Sequence, residues 1–219
     1  AAVPVILVGT FSRSPLLLLA VGSGVAVVAI YVGDILRIYR ERRRKAIELN
    51  SRASIGAFVS LIAAAALFVA LLSAGRLDEA IGAVIYLATF GWLTGMGLAQ
   101  LYKIVPFMTW LECYGPALGR MPTPRVQDLV SETSALRWFR LFYLTVAVGT
   151  LALLIGSAPI FRFASLGQLI AVNALILEFV RTRRLINVPA ELRFPDGLVR
   201  PGLFLPSFSH GGSHEPRSL

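Results

Sequence analysis

Five nearly uncharged stretches constrain what this 219-residue chain can become: Pro15–Leu36, Ala53–Gly75, Ala80–Tyr102, Trp138–Ala158 and Phe163–Val180. At 1.5 Å of rise per residue, about 20 residues cross a hydrocarbon core roughly 30 Å thick. Each stretch meets that length as an α-helix, the form that satisfies every backbone group within its own segment in lipid. Charged residues make up only 15% of the chain, against about 25% in soluble domains. The expected fold is therefore all-α: a polytopic membrane protein of five transmembrane helices, spanning residues 15–36, 53–75, 80–102, 138–158 and 163–180.

The basic residues orient these spans. Of the 21 lysines and arginines, eighteen fall in 37–52, 103–140 and 181–217, on one side of five alternating crossings. Only Arg13, Arg76 and Arg162 fall on the other side. By the positive-inside rule the richer side is cytoplasmic, so the N-terminus is expected outside and the C-terminus inside. The net charge of +9 suits anionic lipid headgroups better than nucleic acid, because the charges cap apolar runs. Arg40, Arg42, Arg43, Arg44 and Lys45, in the first cytoplasmic link, are the candidate headgroup contacts. The competing reading is a solvated topology anchor.

The outward loops "RLDE" and "PIFR" are too short for anything but antiparallel neighbours. Gly91, Gly95 and Ala99 in the third span recur every fourth residue, as do Gly56, Ser60 and Ala64 in the second. Such ridges let helix backbones approach closely. They suit docking of these two spans on each other or on a helix of another subunit. Gly22, Ala26 and Ala29 give the first span a similar small-residue face. The opening "AAVPVILVG" lacks a basic region before it and does not read as a signal peptide. It reads as the tail of an earlier span or an interfacial segment. The absence of an initial Met fits either its removal or a longer chain.

The stretch "LYKIVPFMTWLECYGPALGR", Leu101–Arg120, prolongs the third span far beyond the core thickness. Lys103 marks the inner interface, and Pro106 disfavours an uninterrupted helix. The expectation is a break near Pro106 followed by an interfacial amphipathic helix over about 105–118. Lys103, Trp110 and Tyr114 would anchor it at the headgroups. A re-entrant cavity with a reactive Glu112 or Cys113 is the competing reading, weakened because the lone thiol has no evident thiolate stabiliser. Residues 1–184 then form the helical bundle and 185–219 an extended cytoplasmic tail. In that tail Phe194, Leu203, Phe204, Leu205 and Phe208 offer apolar contacts to a partner.

Chemistry-bearing residues are sparse. The only histidines, His210 and His214, lie in the tail, and Cys113 is the only cysteine. A bis-histidine haem, a histidine-ligated copper or chlorin, or a multi-thiolate cluster therefore cannot be built from the spans of this chain. No cofactor, metal or catalytic residue is assigned. Asp34 with Arg37, and Glu178 with Arg181, sit at span ends with helical spacing for ion pairs.

The segment "GWLTGMGLAQLYKIVPFMTWLECYGPALGRMPTPRVQDL" resembles uncharacterised bacterial multi-span proteins related to haem–copper oxidase subunit I and to nitric-oxide-response membrane families. Those carry a similar "LYKIVPF" run followed by a tryptophan-containing amphipathic segment. The resemblance implies kinship with redox membrane proteins. Glu112 stands where a histidine is expected after "TWL", and the haem-ligand histidines of that group have no counterparts here. The expected function is a non-catalytic accessory subunit of a larger energy-transducing complex, respiratory or photosynthetic, held among other transmembrane subunits and anionic lipids. A small transporter or channel, or the C-terminal portion of a longer oxidase-like protein, are the alternatives.

Overall fold

The structure, a computed structural model, describes residues 15–41, 49–119 and 122–193. The described residues are helical and contain no strand. In order they form α1 (Pro15–Arg40), α2 (Leu49–Ser73), α3 (Leu77–Tyr86), a π-helical stretch (Leu87–Thr94), α4 (Gly95–Tyr114), α5 (Glu132–Leu154), α6 (Ala158–Arg183) and a single turn, α7 (Ala190–Arg193). Four helical segments are long and apolar enough to cross a membrane: Leu49–Ser73, Leu77–Ala117, Glu132–Leu154 and Ala158–Arg183. The chain thus has the character of a multi-pass membrane protein. In α1 the described apolar stretch is the shorter Val21–Ile35.

Two interhelical turns are tighter than their sequences suggested. Helix α2 ends at Ser73 and α3 begins at Leu77; α5 ends at Leu154 and α6 begins at Ala158. In each turn a glycine adopts the left-handed conformation, Gly75 at φ 67° and Gly156 at φ 69°. The amide after each glycine donates back across the turn, Arg76 to the Leu71 carbonyl and Ser157 to the Ala152 carbonyl, both at 2.9 Å. This is the Schellman closure, in which glycine reaches positive φ without a Cβ clash.

The chain divides into two compact units, Ala1–Tyr102 with Glu132–Leu175, and Lys103–Ser131 with Ile176–Leu219. In the first unit the two predicted ridges meet. A Cβ on Gly91 would lie 2.7 Å from both Cβ and Oγ of Ser60, so α2 and the π stretch touch at near-backbone distance. The Ser60 hydroxyl donates to the Gly56 carbonyl of its own helix at 2.8 Å. Four residues along each ridge, the Tyr143 ring of α5 fills the space. It abuts Gly56, and a Cβ on Gly95 would lie 2.7 Å from its hydroxyl. The Tyr143 hydroxyl donates to the Ala53 carbonyl at 3.0 Å. Ala57 and Ala99 are fully buried, and Ser60 and Ala64 are buried with them.

A second tyrosine uses a glycine notch on the other side of the same unit. A Cβ on Gly149 would come within 2.7 Å of the Tyr86 hydroxyl, which donates to Gln168 Oε1 on α6 at 2.6 Å. Outside these contacts the helices present large apolar side chains, among them Val59, Leu144, Leu151 and Phe163. An apolar exterior of this kind suits lipid or neighbouring helices, since a water-facing surface would be polar.

Two expectations need correction. No break occurs at Pro106, which lies inside α4. Proline removes one backbone donor, but a membrane helix tolerates this because leaving the helix would strand further polar groups. Arg37 pairs with Glu41 at 3.0 Å, not with Asp34. The four-residue spacing and the longer glutamate reach it on an exposed face, where such a pair contributes little.

The Ser60–Gly91 approach leaves no room for a side chain. Gly91→Leu should destabilise the protein by about 1–3 kcal/mol, the usual cost of overpacking. Ser60→Gly in the same chain should recover part of the loss. Thermal melts of the four variants in detergent, analysed as a double-mutant cycle, check this; additive losses would contradict the contact.

Candidate functional site

The polar groups suited to chemistry gather in the second unit, on the stretch that follows Lys103 and on the end of α6. Arg183 Nη1 lies 2.8 Å from Glu112 Oε2 and 3.2 Å from Thr109 Oγ1. The two charged side chains are 14% and 25% exposed. They form a largely shielded bridge, with Thr109 fully buried beneath it. The Thr109 hydroxyl also donates to the Val105 carbonyl at 2.7 Å. Five residues upstream on α6, Glu178 is almost fully buried and accepts from Arg181 at 2.8 Å.

Beside the bridge lies a small core of Cys113, Tyr114, Leu129, Leu185 and Val188, with Trp110 and Leu192 packed against it. Its edges are tied by side chains that reach backbone carbonyls. Trp110 Nε1 donates to Pro124 at 2.7 Å, Tyr114 Oη to Leu192 at 2.9 Å, and Asn187 Nδ2 to Leu129 at 3.0 Å. Arg193 Nη2 caps the carbonyls of Ile186 and Val188, each at 3.0 Å. Segments 122–131 and 184–193 are thereby folded onto the end of α4 rather than left extended.

Leu185 makes that fold possible at a local cost. It closes α6 in the left-handed conformation at φ 55°, unusual for any residue but glycine or asparagine. The Ile186 amide donates to Arg181 and the Leu185 amide to Thr182, the same Schellman pattern that Gly75 and Gly156 make in the other turns. Here the side chain is required: Leu185 is fully buried in the core. Its apolar burial offsets the strain of the backbone.

Several predicted site residues take different roles from those expected. Tyr114 is fully buried, not a headgroup anchor, because residues 184–193 fold over it and accept its hydroxyl proton. Trp110 is half-buried, with its indole N–H satisfied by protein. Lys103 is exposed. Cys113 is buried, and a buried thiol in apolar surroundings is inert. Residues 185–193, expected as the start of an extended tail, are ordered by this core. Arg40 is exposed at the end of α1. Arg42, Arg43, Arg44 and Lys45, the remaining tail and both histidines lie outside the described residues.

Sequence reasoning missed Tyr143, Tyr86 and Arg183. A signal existed for Tyr143: two glycines on facing ridges leave a gap that a neighbouring aromatic can fill. Arg183 was read as one of many interfacial cations, and nothing in its spacing pointed to Glu112, 71 residues away.

The arrangement neutralises its charges internally. Glu112 and Glu178 are each held by an arginine. Each pair ties a carboxylate to a guanidinium at the end of α6. No protein-family profile matches the chain, and neither a curated protein nor a solved structure shows significant similarity to it.

Leu185→Ala should cost about 2–4 kcal/mol through the cavity it opens. Leu185→Gly should cost no more, because relief of the positive φ offsets the extra lost carbon. Chemical denaturation of detergent-solubilised variants measures both. Glu112→Ala should destabilise by about 1–3 kcal/mol, less than a fully buried pair because both groups retain some water. A paired Glu112→Leu, Arg183→Met replacement should recover most of that loss.

Proposed function

We propose that this chain is a non-catalytic, membrane-embedded accessory subunit of a larger energy-transducing complex in a bacterial inner membrane. The supporting observation is the disposition of its polar groups. Tyr86, Glu112, Tyr143 and Glu178 are each engaged within the chain, while large apolar side chains face outward on every long helix. Such a molecule offers helix faces to neighbours and few free groups for a substrate. The resemblance of residues 91–129 to oxidase-related proteins supports a redox membrane as the setting. Glu112, in place of the expected histidine, is held by Arg183.

In this reading α1 is a span in addition to the four long apolar segments, and the basic ends of α1 and α6, with Lys103 of α4, face the cytoplasm. The length of Leu77–Ala117, 41 residues, exceeds the roughly 20 needed to cross. Its portion after Lys103 belongs to the cytoplasmic interface, with the core around Tyr114 as a foot that partners grip.

Purification from native membranes in mild detergent should bring the chain down with other transmembrane subunits, the visible absorption belonging to them. A stable, partner-free monomer would refute the accessory role, as would solute flux by the chain reconstituted alone. Orientation has a separate test in a Cys113→Ser background. A membrane-impermeant thiol reagent should label Ser157→Cys in intact spheroplasts and Ser131→Cys only after lysis. The reverse pattern would invert the topology.

A further inference from the structure

Helix α1 packs on α2 and leaves a long cleft between them. Its upper part is an apolar groove of about 720 Å³, lined by Val25, Ala29 and Gly33 of α1 and Ile62, Ala66 and Ala70 of α2. That volume lies within the range of about 300–1,000 Å³ typical of small-ligand sites. A Cβ on Gly33 would meet nothing within 4 Å, so the groove floor is open there. At its lower edge the rings of Tyr31 and Phe58 stand 5.9 Å apart. Next to the Phe58 ring the lining changes character: a second pocket, about 150 Å³, is bordered by Asn50, Ser51, Ser54 and Gln100 beside Ile35, Ile38 and Phe58. Ser54 donates to the Asn50 carbonyl and keeps its lone pairs for another donor. Arg40 and Arg52 stand exposed at the same end. Among the described residues neither forms an ion pair, whereas Arg37 is taken by Glu41.

We propose that this cleft binds one anionic glycerophospholipid, with an acyl chain in the groove and the phosphate end at Asn50, Ser51 and Gln100, near Arg40 and Arg52. The order of the lining carries the assignment. An apolar channel, then an aromatic pair, then amide and hydroxyl groups near exposed cations is the profile of a phospholipid from tail to head. A partner helix would leave the amide and hydroxyl end without matching groups. In a bilayer the tail gains little hydrophobic energy on entering the groove, since its surroundings are already apolar. Selectivity must therefore reside at the head, through charge-assisted hydrogen bonds to phosphate. This inference does not depend on the accessory-subunit reading, because the cleft belongs to the chain alone.

Native mass spectrometry of the full chain in mixed micelles tests it with phosphatidylglycerol and phosphatidylcholine as probes. The wild type should retain one phosphatidylglycerol, favoured over phosphatidylcholine by about tenfold. Ala66→Trp, which fills the groove from an exposed position, should reduce retention of both lipids by about tenfold, and Ala66→Val by less. Arg40→Gln with Arg52→Gln should remove the preference for phosphatidylglycerol yet leave phosphatidylcholine retention unchanged. Val27→Trp, exposed on α1 but outside the groove, should behave as wild type. Circular dichroism melts establish that each variant is folded. Equal retention by wild type and folded Ala66→Trp would overturn the site, as would absence of a headgroup preference in the wild type. Disulfide capture of a partner helix, or of a second copy, at Gly33→Cys in the Cys113→Ser background would assign the cleft to protein instead.

Discussion

The first unit depends on how closely α2 and the π-helical stretch approach at Ser60 and Gly91. In lipid the hydrophobic effect does little to hold helices together, because the medium is as apolar as their side chains. Association must come from van der Waals contact at short range and from hydrogen bonds that lipid cannot supply. Glycine opposite serine, with a Cβ position 2.7 Å away, brings the two backbones close enough for the first. The Tyr143 ring beside Gly56 and Gly95 fills the space four residues along each ridge, and its hydroxyl supplies the second through the Ala53 carbonyl. Such bonds in membranes contribute about 0.6 kcal/mol on average, so close contact over the ridges carries most of the association.

The π-helical stretch belongs to the same solution. Its wider turn is seen directly in Thr94, whose hydroxyl donates to the Thr89 carbonyl five residues back at 2.9 Å. Turns of this kind reset the angular phase of a helix. Here the stretch lies between Tyr86, which faces Gln168 on α6, and Gly95, which faces Tyr143 on α5. Gly91 within it faces α2. One long helical segment thereby serves three neighbours, each with the residue that fits: a tyrosine, a bare backbone, and a glycine notch.

The second unit obeys a different economy, since it is stabilised by polar contacts around a small apolar core. Arg183 bridges Glu112 and Thr109, and three aromatic or amide side chains tie backbone carbonyls of turns that have no regular partner. Leu185 accepts an unfavourable backbone conformation because its side chain completes the core. Cys113 and Glu112, the groups most suggestive of reactivity in the sequence, are both engaged in this packing. One is buried and the other is held in an ion pair.

Length and hydropathy already required helices, because lipid admits no other form for a run such as 53–75. Residue spacing likewise marked the ridges of Gly56 and Ser60, and of Gly91 and Gly95, since small residues four apart share a helix face. The pair of Glu178 and Arg181 was readable for the same reason, being local to one turn. Continuity through Pro106, burial of Tyr114 and the bridge from Glu112 to Arg183 were not readable. Each depends on which distant segments meet: proline breaks a helix only where freed groups find better partners, and a tyrosine seeks the interface only if nothing folds over it. Local periodicity carries no record of a contact 71 residues away, so those choices were left to the packed chain.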